Sequence, residues 1–87
     1  MKTPKRHTTG KGLTSWKVNG ILHREDGPAI EHPDGTKSWW INGKRHREDG
    51  PAIEYNDGEK YWFLNNKLVT VNSNEEFLRM VKLKAFW

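Results

Sequence analysis

The feature that most constrains this chain is an internal repeat of 23 residues, which appears when residues 15–31 are aligned with residues 38–54. Asn19-Gly20 returns as Asn42-Gly43 in this alignment. The copies cover three ranges, the last of them incomplete: 15–37, 38–60 and 61–72. Repeats of this kind are small structural units that bury their apolar surface only against neighbouring copies. The chain is therefore predicted to fold as a row of similar units.

Each unit reads as a β-hairpin. Asn-Gly between alternating apolar residues is the strongest short-range hairpin signal, because a type I′ turn needs positive φ at both central residues. Asn19-Gly20 and Asn42-Gly43 are therefore predicted hairpin tips, and the Asp-Gly pairs at 34–35 and 57–58 predict the reversals between hairpins. The predicted fold class is mainly β: an antiparallel meander of β-hairpin repeats in a single twisted sheet, with one C-terminal helix.

Side chains alternate between the two faces of a strand, and this alternation sorts the residues of each hairpin. Trp16, Trp39 and Trp62 recur in register and are predicted to lie on the core face. His23 and His46 are expected opposite the first two Trp residues, in structural roles. The other face is predicted to gather one aromatic and four basic side chains: Trp40, Lys17, Arg24, Arg45 and Arg47.

Three segments are predicted along the chain. Residues 1–12 read as a basic flexible arm, residues 13–72 as the repeat domain, and residues 73–87 as a helix. Ser73 and Glu76 have the spacing of a capping box that opens this helix, which is expected to extend to about Phe86. The helix is predicted to pack on the sheet or at a subunit interface. A homodimer is predicted because the sheet edges are open, with residues 85–87 as a candidate contact.

Composition excludes several classes of protein. The chain has no Cys, which excludes a disulfide framework, a zinc ribbon and a thiol nucleophile. No apolar run approaches the roughly 20 residues that span a bilayer, and no signal-peptide core precedes the repeats, so a cytoplasmic protein is expected. No motif for catalysis, phosphate binding or metal binding is present. The chain is therefore predicted to be a non-enzyme without a cofactor, metal site or catalytic residues.

Positive charge is concentrated at the N-terminus. The chain carries a net charge of +4, yet its first 24 residues hold no acid. They hold six basic residues: Lys2, Lys5, Arg6, Lys11, Lys17 and Arg24. Such a segment commonly meets phosphates, although it is also the composition of a solvated tail.

The segment from Trp39 to Ala52, with its weaker copy from Trp16, resembles the W-x-x-N-G-x-x-H-R-x-D-G-P-A repeats of tailed-phage and large-virus proteins. These repeats are distantly similar to MORN repeats, whose His-Gly-x-Gly is replaced here by His-Arg-Glu-Asp-Gly-Pro. The resemblance covers residues 15 to about 66. It implies hairpin-repeat architecture and a phage origin, and it implies no catalytic residues.

Two functions from different classes are compatible with these features. One is binding of RNA or other single-stranded nucleic acid, in which basic residues neutralise phosphates and Trp40 offers a stacking surface. By analogy with phage proteins, such binding would counter a host RNA-directed defence such as a toxin ribonuclease. The alternative is a protein–protein interaction module that inhibits a host protein directly. The predicted nucleic-acid-binding residues are Lys2, Lys5, Arg6, Lys11, Lys17, Arg24, Trp40, Arg45 and Arg47.

Overall fold

The structure of the protein is a computed structural model, and it describes residues 3–83. The strands within this range are β1 (Lys5–Thr8), β2 (Thr14–Val18), β3 (Ile21–Leu22), β4 (Ile30–Glu31), β5 (Lys37–Ser38), β6 (Trp40–Ile41), β7 (Lys44–Arg45), β8 (Ile53–Glu54), β9 (Lys60–Leu64) and β10 (Lys67–Val69), and the helix is α1 (Asn74–Leu83). The predicted fold class is confirmed: antiparallel β-hairpins follow one another and a single helix closes the described chain. The predicted end of the helix and the predicted contact at residues 85–87 lie outside the described residues.

The hairpin tips have the predicted backbone geometry. Asn19 and Gly20 have φ of 51° and 79°, and Asn42 and Gly43 have φ of 51° and 78°. The third tip uses two asparagines, Asn65-Asn66, with φ of 49° and 72°. All three tips therefore occupy the left-handed region that a type I′ turn requires, and Asn tolerates it better than most other residues.

Most strands join one antiparallel sheet in the order β1-β2-β4-β5-β8-β9-β10, with β3 paired to β2. The middle hairpin, β6–β7, forms its own two-stranded ladder because Trp39 interrupts the strand between β5 and β6. Backbone hydrogen bonds still connect this hairpin to its surroundings: Trp39 N, next to β6, donates to Ala52 O at 2.8 Å, and Arg24 N of the preceding hairpin donates to Trp40 O at 3.1 Å. The hairpins consequently stack as one row.

The N-terminus differs from the flexible arm predicted for residues 1–12. Residues 5–8 form β1, which pairs with β2 along its whole length. The turn between them repeats the geometry of the later reversals: Gly12 N donates to Thr9 O at 3.0 Å, as Gly35 N does to His32 O. Sequence comparison does not identify residues 5–12 as part of the repeat, because they share little with the later copies beyond Gly12.

The two histidines join one hairpin to the next. His23 is 6% exposed, and its Nδ1 accepts the backbone N–H of Asn42 at 3.0 Å, while its Nε2 lies 3.3 Å from Glu25 Oε2. His46 makes the same pair of contacts, with Asn65 N at 2.9 Å and with Glu48 at 3.0 Å. Because Nδ1 accepts, Nε2 carries the proton in both rings. Each histidine therefore contacts both the tip of the next hairpin and the glutamate two positions after it.

Small residues and one aromatic ring occupy the most buried positions. Ala29, Ala52 and Phe77 have no exposed surface, and Leu64 is 2% exposed. Phe77 projects from α1 toward Trp62, with ring centroids 6.3 Å apart. Helix α1 thus packs on the Trp face of the third repeat.

The helix begins where the capping box predicts. Ser73 Oγ accepts the Glu76 N–H at 3.1 Å, and Trp62 Nε1 donates to Asn74 Oδ1 at 3.0 Å, which ties the first turn to β9. No helix among the described residues is long and apolar enough to span a membrane. Within residues 3–83, no further strand pairs with the outer edge of β1 or of β10, the two edge strands of the large sheet. The homodimer stays a prediction.

One reversal has a consequence for acid stability. Backbone and side-chain hydrogen bonds from Thr36 lower the pKa of Asp34 below its usual range, and Asp34 Oδ1 accepts the Thr36 N–H at 2.9 Å. The contribution of this contact to the free energy of unfolding is fully present above the ordinary aspartate pKa, and it is lost as the pH falls through the lowered pKa of Asp34. An NMR titration of the Asp34 carboxyl carbon should show a midpoint below that of a peptide aspartate. Thr36→Val, which removes the hydroxyl donor but keeps the backbone N–H, should move the midpoint part of the way back.

Candidate nucleic-acid interface

Two of the predicted basic residues lie on the Trp face and are neutralised there. The guanidinium of Arg24 stacks 3.8 Å from the Trp16 ring centre, and its Nε lies 3.1 Å from Asp26 Oδ1. Arg47 repeats this arrangement 3.9 Å from Trp39 and 2.8 Å from Asp49. The prediction that both arginines lie on the same face as Trp40 is wrong. Strands β3 and β7 end at Leu22 and Arg45, so the alternation of faces does not continue to these arginines.

Further contacts complete the role of each arginine in its loop. Arg24 Nη1 donates to Pro28 O at 3.1 Å and lies 3.5 Å from Glu31 Oε2. Arg47 makes the equivalent bonds to Pro51 O at 3.0 Å and to Glu54 at 3.1 Å. Each guanidinium therefore holds the turn after it and faces two carboxylates, which leaves no net positive charge for a phosphate.

The groove between these two loops is also unsuited to phosphate. It has a volume of about 640 Å³ and is lined by residues 24–27 and 46–49, which form the two loops, with Trp39 and Ile41 between them. Four carboxylates line it against two guanidiniums: those of Glu25, Asp26, Glu48 and Asp49. A polyanion would meet an excess of negative charge there.

The opposite face presents a different arrangement around Arg45. Its guanidinium lies between two aromatic rings, 4.8 Å from the centre of Trp40 and 5.0 Å from that of Phe63. Arg45 Nε is buried without a hydrogen-bond partner, and no ion pair among residues 3–83 involves this arginine. Trp40 and Phe63 are half-buried. Arg45 is thus a cation held in place by rings and not by a carboxylate.

The same face carries two exposed lysines at its N-terminal end. Lys17 occupies the repeat position of Trp40 and Phe63, and Lys5 lies directly opposite Lys17 in the β1–β2 ladder, so the two share a face. Neither lysine takes part in an ion pair within the described part of the chain. We name this set of residues the basic–aromatic strip: Lys5, Lys17, Trp40, Arg45 and Phe63.

The remaining predicted residues lie apart from the strip. Arg6 pairs with Trp16 and so belongs to the opposite face, although it is exposed and faces no carboxylate in the described ladder. Lys11 is exposed in the turn between β1 and β2, at the far end of that hairpin. Lys2 lies outside the described residues. The structure therefore brings together four of the predicted residues: Lys5, Lys17, Trp40 and Arg45.

Phe63 is the strip residue that sequence reasoning missed as part of the site. The repeat spacing could have identified it, because Phe63 lies 23 positions after Trp40 and therefore occupies the same place in its repeat. What the pattern could not show is that the Arg45 side chain spans two hairpins. Its contact with Phe63 makes the strip continuous from the second repeat to the third.

Within the described residues, no three His, Asp or Glu side chains are gathered closely enough to hold a metal ion. The strip offers cations, ring edges and ring faces, and it contains no nucleophile beside a general base. Comparison with protein-family models, with curated proteins and with solved structures finds no match to this chain.

Proposed function

We propose that this protein binds RNA or other single-stranded nucleic acid along the basic–aromatic strip. The observation that carries the proposal is that the strip places Lys5, Lys17 and Arg45 on the same face as two aromatic rings. Arg24 and Arg47 are neutralised by carboxylates on the Trp face. The three cations of the strip, in contrast, make no ion pair with a carboxylate among the described residues.

Single-stranded nucleic acid fits this arrangement better than a duplex. Unpaired bases stack on aromatic rings while the backbone follows positive charge, and both features occur along one strip. The strip has no dense set of hydrogen-bonding side chains to read base edges, so little sequence preference is expected. Engagement of a host RNA-directed defence, such as a toxin ribonuclease, is the biological role that we attach to this binding.

The test removes charge from one face at a time. Lys5→Ala with Lys17→Ala should weaken binding of a labelled oligouridylate and lower the slope of log affinity against log salt by about 1.4, since each lost phosphate contact on a single strand contributes about 0.7. Fluorescence anisotropy across a salt series measures both quantities.

A matched control comes from the opposite face of the third repeat. Lys60 and Lys67 are exposed and share the face of Trp62 and Leu64. Replacing both with Ala removes the same charge and should leave the salt slope nearly unchanged. Trp40→Ala should weaken binding by about 1–3 kcal/mol without altering the slope, because stacking releases no counterions. Failure of the unmodified protein to bind oligouridylate in about 50 mM salt would overturn the proposal and leave direct inhibition of a host protein as the better interpretation.

A further inference from the structure

The repeat position of Arg45 is apolar in the other two copies. Leu22 and Leu68 lie 23 positions before and after Arg45. All three residues are cross-strand partners of the strip-face residue in their own hairpin, in the pairs Leu22 with Lys17, Arg45 with Trp40, and Leu68 with Phe63. A leucine is thus compatible with this place in the hairpin, and the repeat itself does not require a guanidinium there.

The Arg45 side chain also lacks acceptors in the protein. Arg45 Nε is the only buried side-chain nitrogen or oxygen within residues 3–83 that has no hydrogen-bond partner. All eleven Asp and Glu side chains of the sequence lie in this range, and none forms an ion pair with Arg45. A buried donor of a charged group without an acceptor lowers the stability of a fold, and ring contacts offset only part of that loss.

Two other arginines show how a guanidinium is satisfied in this fold. Arg24 and Arg47 each donate to a proline carbonyl and lie within 3.5 Å of two carboxylates. The chain therefore provides acceptors where an arginine holds a loop together. It provides none for the Arg45 side chain within the described residues.

The accessible edge of the Arg45 guanidinium is the one formed by Nη1 and Nη2. Nε is buried, and the Trp40 and Phe63 rings lie 4.8 and 5.0 Å from Cζ. The two Nη atoms are not buried, and neither bonds to a residue of the 3–83 range. Such a rigid, planar pair of donors matches two oxygens of a phosphate or a carboxylate. The exposed lysines of the same strip favour a chain of phosphates over a single carboxylate.

We infer that Arg45 is a phosphate-binding residue, whose Nη1 and Nη2 together hold one phosphodiester group while the Trp40 and Phe63 rings fix the guanidinium. The inference rests on the proposed function for the source of that group, a single-stranded nucleic acid. Free inorganic phosphate offers the same chemistry. An arginine occupies a position that suits leucine because the ligand, and not the fold, supplies its acceptor.

Arg45→Leu tests this inference with the residue that both equivalent positions carry. Its urea unfolding midpoint should equal or exceed that of the unmodified protein, because an apolar side chain replaces a desolvated cation between two rings. Its affinity for oligouridylate should fall about tenfold, as for one lost charge-assisted hydrogen bond, and the slope of log affinity against log salt should fall by about 0.7. Unchanged affinity, whatever the midpoint, would overturn the inference.

Two matched variants separate a specific contact from general charge. Lys44 precedes Arg45 in β7 and lies exposed on the opposite face, so Lys44→Leu removes the same charge and should weaken binding less than about twofold. Arg45→Lys keeps the charge and should retain the salt slope, but it should lose affinity because an ammonium lacks the planar pair of donors. Equal losses for the two leucine variants, or full affinity of Arg45→Lys, would overturn the inference.

An abasic sugar–phosphate strand of the same length distinguishes a phosphate contact from a base contact. Arg45→Leu should weaken the binding of this strand and of oligouridylate by the same factor in fluorescence anisotropy. A loss confined to oligouridylate would assign Arg45 to a base edge and overturn the inference.

A ¹⁵N NMR titration of the unmodified full chain, read at Arg45 Nε, separates this inference from the proposed function. The signal should shift with oligouridylate, and a further shift with inorganic phosphate at constant ionic strength would identify a general phosphate site. Oligouridylate binding without a shift at Arg45 refutes the inference and leaves the strip proposal standing. A phosphate-induced shift in a protein that does not bind oligouridylate supports the inference and refutes nucleic-acid binding.

Discussion

Gly43→Val is expected to destabilise the fold by about 2–5 kcal/mol, which is enough to unfold much of a domain this small. Gly43 has φ of 78°, where any residue with a Cβ is strained and a β-branched residue more so. A Cβ at this position would also lie 3.0 Å from Ile21 Cγ2 of the preceding hairpin, which is closer than carbon atoms pack without movement. Urea unfolding followed by Trp fluorescence measures the loss.

Gly20→Val provides the matched control for this prediction. Gly20 has the same conformation, with φ of 79°, but a Cβ there would meet nothing within 4 Å. This variant should retain the backbone strain and avoid the steric conflict, so it should be about 1–3 kcal/mol more stable than Gly43→Val. Equal loss in the two variants would show that the contact between hairpins contributes nothing, and would contradict the packing of Ile21 on the second tip.

Features that depend on neighbouring residues in the chain could be predicted from the sequence. The tips at Asn19-Gly20 and Asn42-Gly43 follow from the φ angles that these residues tolerate, and the start of α1 follows from the Ser73 and Glu76 pair. Cross-strand partners such as Trp40 and Arg45 follow from the loop length alone. Each of these depends on a few adjacent residues and not on how the hairpins stack.

Placement of side chains beyond the strand ends could not be predicted in this way. The alternation rule assigns Arg24 to the Lys17 face, but β3 ends at Leu22, and the backbone turns before Arg24 reaches its position over Trp16. After β3 ends, the Arg24 N–H donates to Trp40 O of the next hairpin, so the position of Arg24 depends on how the hairpins stack. The alternation of side chains along a strand does not indicate how the hairpins stack.

The irregular third repeat is explained by its position next to helix α1. Val69 replaces the histidine of the earlier copies, and no later hairpin tip within the described chain needs its acceptor. Thr70 replaces the arginine that covers the Trp ring, and Phe77 of α1 covers Trp62 instead. The substitutions that make the third copy look degenerate are therefore those expected of a terminal repeat capped by a helix.

His23→Leu is expected to destabilise the fold by about 1–3 kcal/mol, although it places an apolar side chain at a site that is only 6% exposed. The leucine offers no acceptor to the Asn42 N–H, which now bonds His23 Nδ1 at 3.0 Å, and it leaves Glu25 without its imidazole partner. Burial of leucine offsets part of the loss, but it does not satisfy the donor. Chemical denaturation measures the change.

An exposed histidine provides the control for this prediction, and NMR tests the hydrogen bond directly. His32 is exposed in a turn, so His32→Leu should change the stability by no more than about 0.5 kcal/mol. In the unmodified protein, a through-hydrogen-bond coupling between the Asn42 amide nitrogen and His23 Nδ1 should be detectable by ¹⁵N NMR, and Asn42 should exchange its amide proton more slowly than Asn19. An Nδ1–H tautomer at His23 would contradict the arrangement, because a protonated Nδ1 donates and cannot accept the Asn42 N–H.

Since Asn42 adjoins Gly43, the histidine and the glycine act on one tip, and His23→Leu combined with Gly43→Val should destabilise the fold by less than the two single losses added together.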